Sequence, residues 1–438
     1  MDFRQAEAYL LGTIDERTSR REPYRLDRMR SFLHELGDPQ NAYPTIHVGG
    51  TSGKGSTSTM IAAILRASGK RTGLHTKPHL RSMTERARID GADIPEERFA
   101  ELLAEMMPAI ERCAADEGRP SYYETLLALA FLYFARERVH IAVIEVGLGG
   151  TLDGTNVIVP QVAAITTVGY DHTEILGETL VEIARDKAGI AKAGIPLVCG
   201  VTDQDARAVI ESRCASVGAP FVPVWETTAI ALEEGPRYAQ HFAVTTPSER
   251  YDVRLPLLGA FQRTNAAVAL RVVEQLRPDL RPSRDACERG LATATLAGRM
   301  EFFPAHPGVV FDVAHNPEKA ARLADSLREQ FPDRHFWMIV AIGTSKNAGE
   351  IVRALGALPA TFIFTSFDAA GRSAIKPQRL ASLAEEAGSW GRAVADPIEA
   401  LTIARRSASA DDIVVVTGST LVVAELREWW FEHVVSVS

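Results

Sequence analysis

The alternation of short apolar runs with longer amphipathic segments is the feature that most limits how this 438-residue chain can fold. Apolar runs such as Ile141–Val146 and Val162–Thr167 have the length and composition of buried strands. Segments such as Glu96–Glu117 and Thr125–Arg138 have the periodicity of helices. Strands and helices in alternation predict right-handed crossovers and a mostly parallel sheet that helices cover on both faces.

A second alternation of the same kind begins after Gly298, where the strand candidates include Val309–Asp312 and Trp337–Ile342. The chain is also longer than a single hydrophobic core usually supports. We therefore predict two α/β domains. Residues 1–297 form a larger domain with a mostly parallel sheet, and residues 298–438 form a smaller Rossmann-like domain.

Composition and charge narrow the functional classes. A formal net charge of −8 gives no support to a nucleic-acid partner, which calls for clustered Lys and Arg. The four cysteines have no metal-ligand spacing, and the N-terminal segment MDFRQAEAYL lacks the apolar core of a signal peptide. No apolar run approaches the roughly 18 residues of a membrane span. We expect a cytoplasmic monomer with reduced thiols, without membrane or nucleic-acid partners.

The segment TIHVGGTSGKGST predicts a phosphate-binding loop. The strand Thr45–Val48 leads into a glycine-rich turn, and a helix begins near Lys54. Glycines allow successive backbone N–H groups to point into one concavity, and the helix N-terminus adds partial positive charge. Lys54 would reach the β- and γ-phosphates of ATP. The predicted ATP-binding residues of the loop are Gly50, Thr51, Ser52, Gly53, Lys54, Gly55 and Ser56.

Polar residues at the ends of other predicted strands are further candidates, because ligands bind at the carboxyl edge of an α/β sheet. Glu145 ends the run IAVIE before a glycine-rich turn, where a carboxylate would bind a metal or activate water. His172 follows the strand AAITTV in the same way. Asp312 ends a strand of the second domain and would suit ribose hydroxyls. His315 and Lys346, in adjacent turns, could hold the carboxylate of an amino acid.

These segments, taken in order, resemble the folylpolyglutamate and dihydrofolate synthase family of the Mur ligase superfamily. HVGGTSGKGST is similar to the family's HVAGTNGKGS, IEVGLGGTLDGTN to EVGLGGRLDATN, and FDVAHNP to LDGAHNP. RLDRMRSFLHELGDPQ, DKAGIAK, FQRTNAAVAL, GRMEFF and TGSTLVVAELR also have counterparts. The resemblance implies an ATP-dependent amide ligase. It would convert a folate-type carboxylate, dihydropteroate or a tetrahydrofolate polyglutamate, into an acyl phosphate and couple it to L-glutamate.

The resemblance also implies roles for individual residues. Glu145 and His172 match Mg²⁺ ligands, and Lys187 matches a lysine whose carbamylated amine binds a second Mg²⁺. We expect one or two Mg²⁺ ions, with Lys54, Lys187 and His172 as the catalytic residues. The further ATP-binding residues implied are Asn265, Arg299 and Asp312.

Three stretches match the family's pteroate-binding segments. The two adjacent tyrosines among them could stack on a flat heterocycle or could equally belong to the core. The predicted substrate-binding residues, with the two amino-acid candidates included, are Leu26, Asp27, Arg28, Met29, Tyr122, Tyr123, Glu124, Thr125, Leu152, Asp153, Gly154, His315 and Lys346.

Two positions depart from the family pattern. Ser52 replaces an asparagine, which preserves a hydrogen-bonding side chain. Lys77 opens KPHL where the family has SPHL, and the serine at that position normally binds Mg²⁺. This departure leaves open a Mur-like ligase for a different carboxylate, or a nucleotide-binding relative with an altered metal site. A P-loop kinase or motor-like NTPase would lack both the KAGI lysine and the AHNP segment.

Overall fold

The computed structural model describes residues 1–13, 26–234, 238–369 and 372–435. The chain divides into two units, and the second unit takes two short segments from the middle of the chain. The first unit consists of Met1–Glu234, His241–Arg254 and Phe261–Ala294, and the second of Gly235–Gln240, Leu255–Ala260 and Thr295–Ser438.

An eight-stranded sheet organises the first unit, in the order β4-β3-β2-β5-β1-β6-β7-β8. The strands from β2 to β8 in this order run parallel, while β3 and β4 form an antiparallel edge. The chain leads from β1 to β2 on one side of the sheet and from β6 to β7 on the other, so the carboxyl edge between β1 and β6 is a topological switch point, where ligands bind. The strands are β1 Thr45–Gly49, β2 Thr72–His75, β3 Arg88–Ile89, β4 Ala92–Asp93, β5 Ile141–Glu145, β6 Val162–Ile165, β7 Leu197–Cys199 and β8 Phe221–Pro223.

The helices of the first unit follow the strands, and side-chain caps fix several of their starts. Ser121 caps the helix that begins at Tyr122, and its partner Glu124 completes a capping box. Thr179 and Glu182 cap the helix that ends at Lys187 in the same way. The helices are α1 Phe3–Gly12, α2 Leu26–Glu35, α3 Lys54–Ala67, α4 Glu96–Asp116, α5 Tyr122–Arg136, α6 Thr173–Leu176, α7 Leu180–Lys187, α8 Gln204–Val217, α9 Ala260–Glu274 and α10 Arg284–Ala292.

Apolar side chains bury both faces of the large sheet. On one face, α2, α4 and α5 pack with strand residues such as Ile144 into a core that includes Phe32, Phe99 and Phe131. On the same face, α7 and α8 pack against β6 and β7, and α3 covers the opposite face over β1, β2 and β5. Burial on both faces explains why the central strands are continuous apolar runs.

A small antiparallel sheet joins β9 Ala229–Leu232, β10 Gln240–Thr245 and β11 Arg250–Leu255. In β11 the buried residues Tyr251 and Val253 alternate with more exposed ones, as is typical of a sheet that faces water on one side. Three of the four residues of β9 are exposed. This sheet is not among the elements that the sequence predicted.

The second unit has a six-stranded sheet in the order β12-β13-β19-β14-β15-β18, in which only β12 is antiparallel to its neighbour. Its strands, with a two-stranded ribbon of β16 and β17, are β12 Glu301–Phe303, β13 Gly308–Phe311, β14 Phe336–Val340, β15 Ala360–Phe364, β16 Asp368–Ala369, β17 Arg372–Ser373, β18 Gly391–Ala393 and β19 Ile413–Thr417. Its helices are α11 Pro317–Gln330, α12 Ala348–Leu355, α13 Pro377–Glu386, α14 Pro397–Ser407 and α15 Thr420–Trp430.

The predicted fold class, a mostly parallel α/β sheet followed by a separate α/β domain, is confirmed. Among the described residues, no helix is both long enough and apolar enough to cross a membrane.

Candidate active site

The loop after β1 has a conformation that requires glycine at two positions. Gly50 has a φ of +140°, and a methyl carbon added there would lie 2.1 Å from Thr166 Oγ1. Gly53 has a φ of +82° and begins α3, and a methyl carbon there would lie 2.4 Å from Asn265 Oδ1. Asn265, a predicted ATP-binding residue, therefore lies against the phosphate loop.

The segment that follows β6 holds this loop in place. The Thr51 N–H donates to the Thr167 carbonyl at 2.8 Å, and the Ser52 N–H donates to Thr167 Oγ1 at 2.9 Å. The Thr166 hydroxyl in turn donates to the Ser52 carbonyl at 2.6 Å. Gly53 has no side chain to cap α3, so the first-turn N–H groups of the helix are suited to an anionic ligand.

Two predicted catalytic lysines converge on one oxygen of the loop. Lys54 Nζ donates to the Gly50 carbonyl at 2.9 Å and to the Thr51 carbonyl at 3.2 Å. Lys187 Nζ, buried at the end of α7, donates to the same Gly50 carbonyl at 3.2 Å. Burial lowers the pKa of Lys187 to about 8, and the positive charge of Lys54 acts in the same direction.

The predicted metal ligand Glu145 lies at the carboxyl end of β5 and is buried. A methyl carbon added at Gly55 would lie 3.4 Å from Glu145 Oε2, so the carboxylate faces the start of α3. The backbone N–H of Lys77 donates to the same Oε2 at 3.0 Å. Burial and the charge of Lys54 lower the pKa of Lys77, and the charge of Glu145 opposes them.

The other predicted metal ligand of the protein, His172, begins α6 with a left-handed backbone (φ 52°). Its ring lies 3.8 Å from Asp171 Oδ1 and 3.7 Å from Glu174 Oε1, and 47% of its side chain is exposed. In the described part of the chain, the three His or acidic side chains close enough to bind one metal ion together belong to the small sheet and not to this site. They are Glu233, His241 and Asp252.

The three predicted substrate-binding stretches meet beside β5. The Tyr123 hydroxyl donates to Asp153 Oδ1 at 3.2 Å. A methyl carbon added at Gly154 would lie 3.6 Å from the Tyr123 ring and 3.9 Å from Met29 Cγ. One added at Gly147 would lie 2.4 Å from the Tyr123 hydroxyl, so the glycine-rich turn after β5 permits this approach.

Several of these side chains bind one another or the backbone. Arg28 donates to both oxygens of Glu124 in a largely buried ion pair, with a shortest distance of 2.9 Å. Asp153 accepts the N–H groups of Leu148 and Thr155 at 2.7 and 3.0 Å. These bonds fix the walls of the region and leave fewer side-chain atoms for a ligand.

The remaining residues of the stretches differ in exposure. Met29 belongs to the core, and the Thr125 hydroxyl donates to the Ser121 carbonyl. Leu152 is 48% exposed, and the exposed Asp27 pairs with Arg30. Two predicted residues remain. Leu26 begins α2, and the ring of Tyr122 lies 5.8 Å from the Arg86 guanidinium.

One contributor to this region was missed in the sequence. His47, within β1, shares a 2.8 Å hydrogen bond with Thr155 Oγ1, and Thr155 donates to Asp153 Oδ1 at 2.5 Å. Burial lowers the pKa of His47 to about 3, so the ring is neutral and Nε2 is the donor. The sequence did contain a signal for this residue, because a histidine inside a buried apolar strand just before the glycine-rich loop needs a polar partner.

In the second unit, Asp312 accepts the N–H groups of Met300 and Ala314 at 2.9 and 2.8 Å. Burial raises the pKa of Asp312, and the charge of Arg299 opposes the shift. Arg299 itself donates to the Gly298 carbonyl at 3.1 Å. The carboxylate therefore holds the turn after β13, whose geometry the sequence did not predict.

His315 is a neutral ring close to the positive charges of two lysines. Its Nδ1–H donates to the Val313 carbonyl at 2.8 Å, and its Nε2 lies 3.5 Å from Lys319 Nζ. Burial lowers the pKa of His315 to about 4, and the charges of Lys319 and Lys346 add to this effect. Lys319, four residues after His315, was missed because it reads as a surface lysine of α11.

Comparison with known proteins defines the class. The model of the Mur ligase middle domain matches residues 48–273, and that of the Mur ligase glutamate ligase domain matches residues 298–420. The chain is therefore a Mur-type ligase, and its phosphate loop agrees with the predicted dependence on ATP.

The particular family follows from full-length matches. The chain is 34% identical to the dihydrofolate synthase/folylpolyglutamate synthase of Bacillus subtilis, over 92% of this chain and 94% of that protein. It is 39% identical to a probable bifunctional folylpolyglutamate synthase/dihydropteroate synthase of Haloferax volcanii, over 93% of this chain but only 49% of that protein, so it spans about half of this relative. The Mycobacterium tuberculosis folylpolyglutamate synthase complexed with ADP superposes with a TM-score of 0.88 at 29% identity, covering 98% of each chain. The chain belongs to the folylpolyglutamate synthase/dihydrofolate synthase family, and the predicted family and enzyme class are confirmed.

Proposed function

We propose that this protein is an ATP-dependent ligase that joins a folate-type carboxylate to the amine of L-glutamate. The observation that carries the proposal is the phosphate loop, where Lys54 and Lys187 converge on the Gly50 carbonyl and Asn265 covers Gly53. Transfer of the γ-phosphoryl group of ATP to the carboxylate gives an acyl phosphate and ADP. The amine then attacks the acyl carbon, phosphate leaves, and the amine loses a proton.

Phosphoryl transfer depends on positioning and on neutralising charge. We assign the loop N–H groups and Lys54 to the ATP phosphates, because Lys54 has only neutral loop carbonyls as partners among the described residues. We assign Asn265, Arg299 and Asp312 to the rest of the nucleotide. We assign ATP binding and the pterin-side segment to residues 1–297, and the ligase domain to residues 298–438. The two matched models, over residues 48–273 and 298–420, support this division.

The chemistry of the donor set fits Mg²⁺, because carboxylate oxygen is a preferred ligand of that ion and Glu145 faces the start of α3. Glu145 and His172 would hold the ion, and bound Mg²⁺ would neutralise charge on the phosphate oxygens. Lys187 as an ammonium group has no lone pair and is not a metal ligand. Its position does favour reaction with CO₂, in which the neutral amine adds to the carbon and releases a proton.

Two observations support carbamylation of Lys187. Its pKa, lowered to about 8, leaves a substantial neutral fraction near physiological pH. Its ammonium group also shares one carbonyl oxygen with Lys54, which puts two positive charges within about 6 Å of each other. A carbamate replaces this repulsion with attraction and supplies two oxygen atoms.

For the organic substrates, we assign the region of Met29, Tyr123 and Gly154 to the pterin and the cluster of His315 and Lys346 to a carboxylate of L-glutamate. The first region combines an apolar floor with the hydrogen-bonded Tyr123 hydroxyl. In the second, Lys319 extends the positive charge that a dicarboxylate needs. The proposed pterin site and the proposed L-glutamate site therefore differ in chemistry, as their two ligands do.

The test is a ligation assay with ATP, Mg²⁺ and L-glutamate, plus dihydropteroate in one reaction and tetrahydrofolate in another. Mass spectrometry should detect a product one glutamyl residue heavier in at least one reaction, with equimolar ADP and phosphate. Lys376→Ser, at an exposed position, is the matched control and should retain activity.

Failure with both pterins, together with ATP turnover on another carboxylic acid, would favour a Mur-like ligase of different specificity. Nucleotide binding without turnover on any acid would favour a non-catalytic relative. Either result would overturn the folate assignment.

A further inference from the structure

Lys77 brings a third lysine to the phosphate region. It follows β2, and its backbone N–H contact with Glu145 Oε2 at 3.0 Å fixes its place beside the carboxylate. Its side chain is half-buried. Within the described ranges, no hydrogen-bond acceptor or carboxylate lies within bonding distance of its ammonium group.

Among the described residues, the Lys77 ammonium group forms no direct ion pair. Its cationic neighbours are Lys54 and Arg86, and its anionic neighbours are Glu145 and Asp153, so together with Lys77 itself three cations share two carboxylates. The Lys54 ammonium group is held by carbonyl oxygens, which satisfy its hydrogen bonds but carry no net charge. A partly buried ammonium group costs free energy unless an opposite charge is near. The triphosphate of ATP supplies that charge.

Lys77 also limits where a divalent ion can bind. An ammonium group has three N–H donors and no lone pair, so it cannot be a metal ligand. It repels a divalent cation placed beside it, and the repulsion is stronger in a partly buried site than in water. The Lys77 side of Glu145 is therefore suited to a phosphate oxygen and unsuited to a metal ion.

We propose that the Lys77 ammonium group binds the ATP phosphates in place of one divalent cation, so that this enzyme binds nucleotide with a single metal ion. The inference rests on the proposed ATP-binding function of the loop. It concerns binding alone, so it can be tested without any folate substrate.

The first experiment counts the metal ions. The protein is saturated with a non-hydrolysable ATP analogue and titrated with Mn²⁺, and free Mn²⁺ is measured by electron paramagnetic resonance. We expect one tightly bound ion per wild-type protein and two in Lys77→Ser, where a hydroxyl replaces the cation. Lys77→Met, which offers neither charge nor ligand, should bind one. Two ions in the wild type, or equal numbers in the wild type and Lys77→Ser, would overturn the proposal.

The second experiment measures affinity for the analogue without metal, in excess EDTA. Lys77→Ser and Lys77→Met should both bind about tenfold more weakly than the wild type, because each loses one phosphate charge partner. Lys77→Arg should bind within about threefold of the wild type, and the exposed Lys376→Ser should not differ. Unchanged affinity in Lys77→Met would contradict the proposal, even if that variant melts at the wild-type temperature.

The two proposals fail in distinguishable ways. A protein that binds the analogue with one metal ion but ligates no folate would refute the folate assignment and leave Lys77 as inferred. A protein that ligates L-glutamate to a folate and binds two metal ions would do the reverse.

Discussion

Two clusters of charged side chains in the first unit differ in how their charges are satisfied. At the phosphate loop, Lys54 and Lys187 donate to the neutral carbonyl of Gly50. In the small sheet, His241 Nε2 lies 2.6 Å from Asp252 Oδ1 and 3.4 Å from Glu233 Oε2, and Arg250 also pairs with Glu233. The second cluster pairs opposite charges directly, while the lysines of the first donate to neutral carbonyl oxygens and form no direct ion pair among the described residues.

Burial makes this difference matter. Lys187 is only 3% exposed, whereas the side chains of the small-sheet cluster are between 16% and 57% exposed. Unbalanced charge costs much more in a buried site than at a surface that water and salt screen. We therefore expect an anionic ligand to bind at the phosphate loop and not at the small-sheet cluster.

The largest contrast is expected from Lys54→Ala, set against His241→Gln. Loss of a phosphate partner should lower the rate of ligation by about 10²-fold or more, because charge stabilisation in such sites is worth that much. His241→Gln should change the rate by less than about twofold, because surface ion pairs contribute little. The measurement is the steady-state rate of ligation of the two variants and of the wild type. Lys54→Ala with more than a tenth of wild-type activity would remove the phosphate loop from the account.

The next effect is expected from Lys187→Ala. If Lys187 carries the proposed carbamate, the rate should fall by about 10²-fold in this variant, and added acetate or formate should restore part of it by supplying the missing oxygens. A ¹³C-bicarbonate nuclear magnetic resonance spectrum of the wild type should show a carbamate signal that the variant lacks. Lys192→Ala, which removes a lysine bonded to Asn156, is the matched control for carbamate labelling. A wild-type spectrum without the signal would contradict the modification.

Gly53→Ala probes the loop backbone and should act at the level of stability. Ala is strained at a φ of +82°, and its methyl group would overlap Asn265 Oδ1 at 2.4 Å. We expect the free energy of unfolding to fall by about 1–3 kcal/mol. Gly218→Ala has a similar φ of +72° with nothing within 4 Å, so its smaller loss isolates the overlap. Equal losses in chemical denaturation would show that Asn265 does not press on the loop.

The smallest effect concerns pH and the small sheet. The hydrogen bond to the Glu234 carbonyl and that to Asp252 raise the pKa of His241 above its unfolded value of about 6.5. The resulting stability is fully present below that unfolded pKa and is lost as the pH rises through the folded pKa. Wild type should therefore exceed His241→Gln in free energy of unfolding by up to about 1 kcal/mol at pH 5.5 and by less at pH 9. A difference that does not change with pH would contradict the charged pair.

Much of the fold could be predicted because buried parallel strands are short apolar runs with a distinctive composition. The run Ile141–Val146 was predicted, and the strand is Ile141–Glu145. The three-stranded small sheet was missed because β10 and β11 mix polar with apolar residues, and the apolar run of β9, Ala229–Leu232, has only four residues, most of them exposed. Its pairing depends on a register with β10 that local sequence does not specify.

The phosphate loop of the candidate site could be predicted because its backbone conformation allows only glycine at certain positions. The loop glycines mark positions that only glycine fits, as Gly50 and Gly53 show. The contact of His47 with Thr155 depends on which strands and turns become neighbours, and no spacing along the chain encodes it. Lys319 lies only four residues after His315 and was missed because it reads as a surface lysine of α11.

The central claim is that Lys54 binds the phosphates of ATP because its direct partners in the protein are neutral carbonyl oxygens and not carboxylates. Its most direct test is a calorimetric titration of a non-hydrolysable ATP analogue with Mg²⁺ into wild type, Lys54→Ala and His241→Gln. The account predicts that wild type and His241→Gln bind with equal affinity, that Lys54→Ala binds at least about tenfold more weakly, and that added salt weakens binding in the wild type. Equal affinity of Lys54→Ala and wild type, with no dependence on salt, would contradict it.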